Sequence, residues 1–277
     1  MPKLARSRRD PYEVIARVYD QDVHLEVPRA FFQALRPLFR DARGGPPVLD
    51  LGCGSGLLTE RVARAGASVL GIDGSRAMLA RARRRCAGFE GRVRLLRQPL
   101  DRLRLAAPAE LAVACGDVMN HLPSPVALRK VLTSIRRCLG SGGLLVFDAL
   151  TEACFEEYWP DNTHLLQGPH GDLLMDCDWD PRARRGSVRM IAYARNGRGS
   201  YSRAEATLFE YLYGDGEIAR ALRESGFDEV FRRDWSPWPD LESGAPMDRR
   251  LWCGRVAGDE ARIRPGRLRA LGFRPVA

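Results

Sequence analysis

Residues 48–56 read Val-Leu-Asp-Leu-Gly-Cys-Gly-Ser-Gly, and this stretch decides the fold. The apolar residues at its start are typical of a short buried strand. Gly52, Gly54 and Gly56 follow at alternate positions and lead into a helical pattern that begins at Leu57. A strand, a tight glycine turn and a helix N-terminus leave free backbone N–H groups where a ligand can approach. The pattern therefore predicts a ligand-binding turn, and an ordinary glycine-capped turn is the structural alternative.

Two carboxylates flank this turn and narrow the class of ligand. Asp50 precedes the first glycine, and an acid at the end of a strand suits a cationic amine better than a pyrophosphate. Asp73 ends the next apolar run, 23 residues after Asp50. A carboxylate at the tip of a second strand can accept hydrogen bonds from both hydroxyls of a ribose. The pair predicts a site for a nucleoside that carries an amino acid.

These residues resemble motif I and the following acidic strand end of the class I S-adenosylmethionine-dependent methyltransferases. The spacing also fits a Rossmann dinucleotide site, which is the main competing interpretation. However, the third glycine comes one residue earlier than in Gly-x-Gly-x-x-Gly, and Leu57 stands in its usual place. The resemblance implies S-adenosyl-L-methionine as the cofactor.

The resemblance also implies which residues hold that cofactor. The family often has Gly-Asp after the third strand, whereas Gln98 and Pro99 stand here, so the adenine amino group needs another acceptor such as Gln98 or Asp101. Tyr19 and Asp20 resemble the Tyr-Asp pair of a lid helix, although a tyrosine buried by an amphipathic helix would look the same. The implied cofactor-binding residues are Tyr19, Asp50, Gly52, Cys53, Gly54, Asp73, Gly74, Met78, Leu100 and Gly116.

Residues 115–122, Cys-Gly-Asp-Val-Met-Asn-His-Leu, would lie near the cofactor's methyl group. Methyl transfer is an in-line displacement, so positioning supplies much of the acceleration, and a base is needed only where the nucleophile carries a proton. His121 is the best candidate for that base because its ordinary pKa lies near neutrality. Asp117 is the second catalytic candidate. Packing is the alternative role for His121, and His164 and His170 are weaker candidates for the base.

The pattern outside the motifs predicts an α/β fold. From residue 48 to about residue 150, apolar strands alternate with helices, which favours a parallel sheet covered on both faces. We expect a Rossmann-like, seven-stranded, mostly parallel sheet with N-terminal lid helices in residues 1–43. The core would comprise residues 44–150 and 214–257, with a turn at Ser141-Gly142-Gly143 before the fifth strand. Residues 258–277 would form a basic C-terminal tail.

Residues 151–213 interrupt this alternation. Three runs in residues 175–180, 188–194 and 207–213 have the two-residue period of half-buried strands, and Asn196-Gly197 is a strong hairpin signal. The segment therefore predicts an antiparallel insertion after the fifth strand that covers the substrate. Together with the lid helices it leaves little open surface for a macromolecule, so we expect a small-molecule substrate.

Composition narrows the partners and the compartment. The net charge is +9, but nearly all of the 44 basic residues are arginine and aromatic residues are not interleaved with them. This predicts a solvated basic face rather than a nucleic-acid surface. Seven scattered cysteines without a Cys-x-x-Cys pair indicate reduced thiols and no metal. Without a membrane-length apolar stretch or a signal-peptide pattern, we expect a cytoplasmic protein and no membrane partner.

The sequence thus predicts a methyltransferase that acts on nitrogen or oxygen of a small molecule in secondary metabolism. One alternative is an RNA or protein methyltransferase, which the basic tail and the arginines of residues 81–85 motivate. Another is a non-catalytic module that binds S-adenosylmethionine, which the missing acid at Pro99 motivates. The acceptor and the oligomeric state stay open at this point.

Overall fold

Two β-sheets organise the chain. The computed structural model describes residues 10–21, 23–197, 199–238, 248–260 and 262–276. The strands, in chain order, are β1 (Val48–Leu51), β2 (Val69–Asp73), β3 (Val93–Arg97), β4 (Ala109–Ala114), β5 (Leu139–Leu150), β6 (Asn162–Gly168), β7 (Gly171–Asp180), β8 (Arg185–Arg195), β9 (Tyr201–Tyr211), β10 (Glu229–Trp235), β11 (Arg249–Arg255) and β12 (Arg274–Pro275).

The larger sheet has the order β12-β10-β11-β5-β4-β1-β2-β3. Strands β1 to β5 pair in parallel, whereas β10, β11 and β12 join antiparallel at one side. The parallel strands are mostly buried on both faces, as their continuous apolar sequences predict. The mostly parallel, Rossmann-like sheet is confirmed.

Helices cover both faces of this sheet, which confirms the second part of the fold prediction. Side chains of α2, α3 and α8 pack in the core on one face, and those of α5 and α7 pack in the core on the other. The helices are α1 (Pro11–Ile15), α2 (Val23–Asp41), α3 (Leu57–Arg64), α4 (Arg76–Arg85), α5 (Pro125–Arg136), α6 (Glu152–Glu157), α7 (Asp215–Glu224) and α8 (Pro265–Ala270), with 3₁₀ turns at Ala16–Val18 and Leu100–Arg102.

The N-terminal region forms two helices, as expected. The first is short: α1 continues into the 3₁₀ turn at Ala16–Val18. The Asp10 side chain accepts a hydrogen bond from the Tyr12 N–H, and Pro11 occupies the first turn, so the helix starts where its capping residues predict. We call residues 10–21 the lid segment. Residues 1–9 of the expected lid lie outside the described residues.

The C-terminal segment is part of the fold. Ile263, Leu268 and Phe273 are almost fully buried against the face that α2 and α3 cover. Strand β12 then pairs with β10 and adds an eighth strand to the sheet. The expected basic tail is therefore anchored by apolar side chains that stand between its arginines.

The start of β5 differs from the expected turn. Pairing of β5 with β4 begins at Leu139 opposite Ala109, shifts register, and resumes at Leu144 opposite Leu111. Gly142, with φ +72°, lies in this interval. The predicted glycine turn is thus a bulge within a longer strand, because both strands keep pairing on either side of it.

The insertion forms an antiparallel sheet in the order β6-β7-β8-β9. The hairpin at Asn196 is confirmed, since its N–H donates to the Ser200 carbonyl over 2.8 Å. The sequence pattern did not predict helix α6 or strand β6. Most of β6 is exposed, so its sequence lacks the alternation of a half-buried strand. Of the two weaker candidates for the base, His164 lies in strand β6 and His170 lies in the β6–β7 turn. The division of the chain into domains stays a prediction.

The described residues contain neither a disulfide nor a membrane-spanning helix. All seven cysteines are free thiols, and six of them are buried. Among the described residues, every helix is too short or too polar to cross a membrane.

Candidate active site

A cavity of about 910 Å³ opens at the carboxyl ends of the parallel strands. Its walls come from the lid segment, the glycine turn after β1, the ends of β2 to β4, the start of α5, and β9 of the insertion. Its size falls in the range of small-ligand sites. Nine of the twelve predicted site residues line it: Tyr19, Gly52, Gly54, Asp73, Gly74, Met78, Leu100, Gly116 and His121.

Glycines shape the floor of this cavity. Gly52 has φ +68°, and a Cβ there would lie 2.8 Å from Val118 Cγ2, so a larger residue would displace the loop after β4. At Gly74 and Gly116, by contrast, a Cβ would meet no atom within 4 Å. These two glycines face open cavity space, which leaves bare backbone available to a ligand.

Asp73 is held so that both of its carboxylate oxygens keep acceptor capacity. Oδ2 accepts the Gly54 N–H over 2.8 Å, and Oδ1 accepts the Ser75 N–H over 2.7 Å. Each oxygen retains a second lone pair. Burial raises the pKa of this carboxyl above its ordinary value. The arrangement fits the vicinal hydroxyls of a ribose.

Asp50 and Cys53 lie behind the turn and do not line the cavity. The buried Asp50 carboxylate accepts a hydrogen bond from the Thr59 hydroxyl, and burial raises its pKa to about 7. The Cys53 sulfur lies against Gly71 in β2, and the Cys53 N–H donates to the Ile72 carbonyl. In this placement both residues support the turn, and their predicted contact with the cofactor stays a prediction.

At the opposite end of the cavity, Tyr12 and His121 form a hydrogen-bonded pair. Tyr12 Oη lies 2.9 Å from His121 Nε2, and His121 Nδ1 lies 3.4 Å from the Phe209 carbonyl oxygen. With the proton on Nδ1, the imidazole donates to Phe209 and accepts from Tyr12. Burial lowers the pKa of His121, so it is neutral and able to take up a proton. This geometry agrees with the proposed role of His121 as a base.

Asp117 is engaged in a buried ion pair. Arg249 Nη1 lies 2.7 Å from Asp117 Oδ1 and 2.6 Å from Asp148 Oδ2. Burial opposes ionisation of Asp117, but the guanidinium outweighs it and keeps the pKa of this carboxyl below its ordinary value. Asp117 also does not line the cavity. An ionised, paired carboxylate accepts protons poorly, so this geometry favours an electrostatic role for Asp117, and its catalytic role stays a prediction.

Glu210, a residue that the sequence did not single out, completes this cluster from β9. It is 6% exposed, and within the described part of the chain its Oε2 has no hydrogen-bond partner. Single ligand atoms of Glu210, Asp117 and His121 all lie within 4.8 Å of one another. Burial and the nearby Asp117 carboxylate both raise the pKa of Glu210.

The charges around this cluster do not balance. Asp148, Glu210 and Asp248 provide three buried carboxyl groups and Asp117 a partly buried one, and the Arg249 guanidinium faces them. A buried carboxylate without a counter-charge is costly, so a bound cation would stabilise the cluster. The spacing also suits a metal ion, but the Asp117 carboxylate is already paired with Arg249, whose positive charge would lie beside the metal. An organic ammonium group fits these charges better.

Asn120 joins the insertion to the core. Its buried Nδ2 donates to the Tyr211 carbonyl over 3.0 Å, and its Oδ1 accepts the Leu150 N–H over 3.1 Å. The Asn120 carbonyl also accepts the Tyr211 N–H over 2.7 Å. These bonds fix the end of β9 beside the end of β5 and so bring Phe209 and Glu210 to the site.

Side-chain contacts close the lid segment over the cavity. The Asp20 carboxylate accepts from Arg85 Nη2 over 2.7 Å and also from Arg81 and the Ser55 hydroxyl. The Tyr19 ring stacks on His24 with ring centres 4.2 Å apart. The two residues of the predicted Tyr-Asp pair therefore have different positions. Tyr19 lines the cavity, and Asp20 anchors the lid segment to α4.

The loop after β3 forms the remaining wall. Gln98, Pro99, Leu100 and Asp101 all line the cavity. Gln98 Oε1 already accepts the Arg104 N–H over 3.1 Å, whereas the Asp101 carboxylate is partly exposed and makes a 3.7 Å ion pair with Arg102. Asp101 is therefore the better of the two acceptors considered for an adenine amino group.

Comparisons with known proteins agree with this geometry. Residues 48–143 match the model of a family described as a methyltransferase domain. The chain is 32% identical over 141 residues to the ubiquinone biosynthesis O-methyltransferase of Methylococcus capsulatus. The aligned region covers 50% of this chain and 58% of that protein. The chain thus spans little more than half the length of that relative.

Two solved structures resemble most of the chain. The methyltransferase CcbJ from Streptomyces caelestis has a TM-score of 0.69 at 21% identity, covering 90% of this chain and 98% of that one. S-adenosylmethionine-bound CalS10, an amino pentose methyltransferase from Micromonospora echinaspora, has a TM-score of 0.61 at 20% identity, covering 92% and 100%. At these identities the likeness establishes the fold.

Proposed function

Because the chain belongs to the class I S-adenosylmethionine-dependent methyltransferases, we propose that it transfers the cofactor's methyl group to the nitrogen of a small-molecule amine. Oxygen is the alternative acceptor atom. One observation carries the choice of nitrogen: the excess of buried carboxyl groups around Glu210, whose Oε2 is unpaired within the described residues. The action of CalS10 on an amino pentose is consistent with this choice.

The residues of the large cavity fit the cofactor. Asp73 would hold the ribose, Gly74 and Gly116 leave backbone open to it, and Tyr19 would cover it from the lid segment. Asp101 would accept from the adenine amino group. When bound, the cofactor supplies an electrophilic methyl group on a sulfonium sulfur.

The acceptor end of the cavity would prepare the amine. The carboxyl groups of Glu210 and Asp117 lie directly behind the wall of the cavity and favour a cationic ammonium group at this end. That group must lose a proton before its lone pair can attack carbon. His121 is the neutral base there, and the Asp117 charge stabilises the imidazolium that forms. Because Nε2 accepts from the Tyr12 hydroxyl, the amine's proton would pass to Tyr12 Oη as the Tyr12 proton moves to Nε2. The aromatic rings of Tyr12 and Phe209 line this end of the cavity.

The basic residues of the C-terminal segment give little support to an RNA acceptor. Arg267 lies 2.7 Å from the Asp41 carboxylate, and Arg262 donates to the Arg43 carbonyl over 2.9 Å. These arginines fasten the segment to α2 and the turn after it. We therefore keep the small-molecule acceptor.

The test compares matched amines and alcohols as acceptors. In Glu210→Gln, loss of the carboxyl group whose ionised form a bound ammonium group would favour should raise KM for amines about tenfold and leave KM for alcohols unchanged. Glu205→Gln is the matched control, because Glu205 lies on the same strand but is exposed and paired with Arg189 and Arg203.

Two outcomes would contradict the proposal at different levels. Methylation of alcohols alone, with unchanged kinetics in Glu210→Gln, would move the acceptor to oxygen. Calorimetry that detects no binding of S-adenosylmethionine or S-adenosylhomocysteine would refute the activity itself. We also expect full activity in EDTA, since the cluster already holds a cationic guanidinium; loss of activity that a divalent metal restores would assign the cluster to a metal.

A further inference from the structure

A second cavity, of about 630 Å³, lies on the outer side of the lid segment. It is bounded by the lid segment, helices α3 and α4, the β6–β7 turn and the end of β8, and it shares no lining residue with the large cavity. Its guanidinium groups come from the lid segment, α4 and β8. Its basic residues are Arg17, Arg81, Arg84, Arg85, His170 and Arg195. Three elements far apart in sequence thus bring five guanidinium groups to one place.

The acids of this cavity neutralise only part of that charge. Asp20 pairs with Arg81 and Arg85. Glu60 pairs with Arg64 over 2.6 Å and lies 3.9 Å from Arg85. Five guanidinium groups against two carboxylates leave a formal excess of three positive charges.

The excess resides on three arginines, Arg17, Arg84 and Arg195. None of them forms an ion pair with an acid of the described residues. Arg17 is nevertheless fixed, because its Nη2 donates to the Arg195 carbonyl over 2.7 Å and its own carbonyl accepts from Arg81. The Arg195 guanidinium lies over the Tyr201 ring, 5.7 Å from its centre, and all three side chains are exposed. Like charges gathered around one cavity repel one another, and an anion bound between them relieves that repulsion.

We propose that this cavity binds a small polyanion of the phosphate class, such as a pyrophosphate group. Guanidinium groups match phosphate oxygens with paired N–H donors, and three of them on separate elements can surround such a group. Arg17 belongs to the lid segment, Arg84 to α4 and Arg195 to β8. The bound anion therefore bridges the lid to both sheets of the protein.

The experiment is calorimetric titration of the full chain with inorganic pyrophosphate, at about 20 mM and about 300 mM salt. We expect binding that weakens strongly at the higher salt. The double variant Arg84→Gln with Arg195→Gln should bind pyrophosphate at least about tenfold more weakly. Arg83→Gln is the matched control, since Arg83 is exposed on the same helix but does not line the cavity, and it should stay within about twofold of the parent.

Circular dichroism and S-adenosylhomocysteine binding establish that each variant is folded. Absence of pyrophosphate binding at low salt, or an equal loss in Arg83→Gln, overturns the proposal. So does a short single-stranded RNA that binds more tightly than pyrophosphate and depends on Arg83 as much as on Arg84, because that result assigns the arginines to an open nucleic-acid face. None of these readouts depends on methyl transfer.

Discussion

Arg249→Met tests the buried ion pair beneath the acceptor end of the cavity. The change keeps much of the side-chain volume but leaves Asp117 and Asp148 without the guanidinium that lies 2.7 and 2.6 Å from them. Removal of one partner of a buried pair costs about 3–5 kcal/mol, and two carboxylates lose their partner here, so we expect a loss of about 4–5 kcal/mol. A domain with a total stability of about 5–15 kcal/mol would be severely weakened.

Arg250→Met is the matched control on the same strand. Arg250 pairs with Asp215 and Asp234, but its side chain is 30% exposed and that of Asp234 is 62% exposed. Solvent screens such pairs, so the control should lose no more than about 1 kcal/mol. The measurement is urea unfolding at neutral pH, followed by circular dichroism. The free energies of unfolding of the two variants are compared, provided that their m-values are equal.

The pH dependence gives an independent check. In the parent, Arg249 holds the pKa of Asp117 below its ordinary value. In Arg249→Met the buried carboxyls should have raised pKa values, so the folded state binds more protons than the unfolded state, and the variant regains stability as pH falls toward about 5. A loss at neutral pH no larger than that of Arg250→Met, or a deficit that does not shrink on acidification, would refute the reasoning.

Four further changes test other parts of the site. Asp73→Asn should weaken S-adenosylhomocysteine binding about tenfold or more in calorimetry, since charged hydrogen bonds contribute about 1.5–3 kcal/mol; unchanged affinity would exclude a ribose contact. His121→Asn should lower kcat about 100-fold and abolish the acidic limb of its pH profile, whereas a packing residue would leave the profile in place. Asp50 has a pKa of about 7, so between about pH 4 and pH 7 the folded state retains a proton that the unfolded state releases. The contribution of Asp50 to the free energy of unfolding therefore falls as the pH rises through this range. Asp50→Asn should flatten that pH dependence in urea unfolding. Asp20→Asn should speed S-adenosylhomocysteine dissociation several-fold in stopped-flow measurements, because Arg81 and Arg85 lose their anchor on the lid; an unchanged rate would show that other contacts hold the lid.

Local sequence patterns were enough to bring several predicted residues together at one end of the cavity. Gly52, Gly54 and Asp73 stand at strand ends, and the parallel sheet brings strand ends to one edge, so a short motif is enough to place them. Asp50 shows where this reasoning stops. A residue that belongs to the motif can still face the interior, and only the position of Thr59 on the following helix reveals that the Asp50 side chain does so.

The acceptor end depends on contacts between distant segments. Arg249 pairs with residues about 100 and 130 positions earlier, and nothing in the strand pattern of residues 249–255 indicates these partners. Glu210 is buried because Asn120 fixes β9 against the core, although its own strand otherwise carries exposed polar residues. Such pairings follow from the relative placement of two sheets, which periodicity does not encode.

The attachment of β9 also determines how ligands can enter. The loop after β4, the end of β5 and β9 share hydrogen bonds through Asn120, so this side of the cavity behaves as one rigid wall. The lid segment, by contrast, is attached to its surroundings largely through side chains such as Tyr12, Asp20 and Gln21. Ile15 and Val18 of the lid segment are also buried against the insertion sheet. Opening of the lid would break these side-chain contacts but no strand pairing, so we expect it to be the route between the cavity and solvent. Release of the demethylated cofactor, rather than the chemical step, would set the turnover rate wherever that opening is slow.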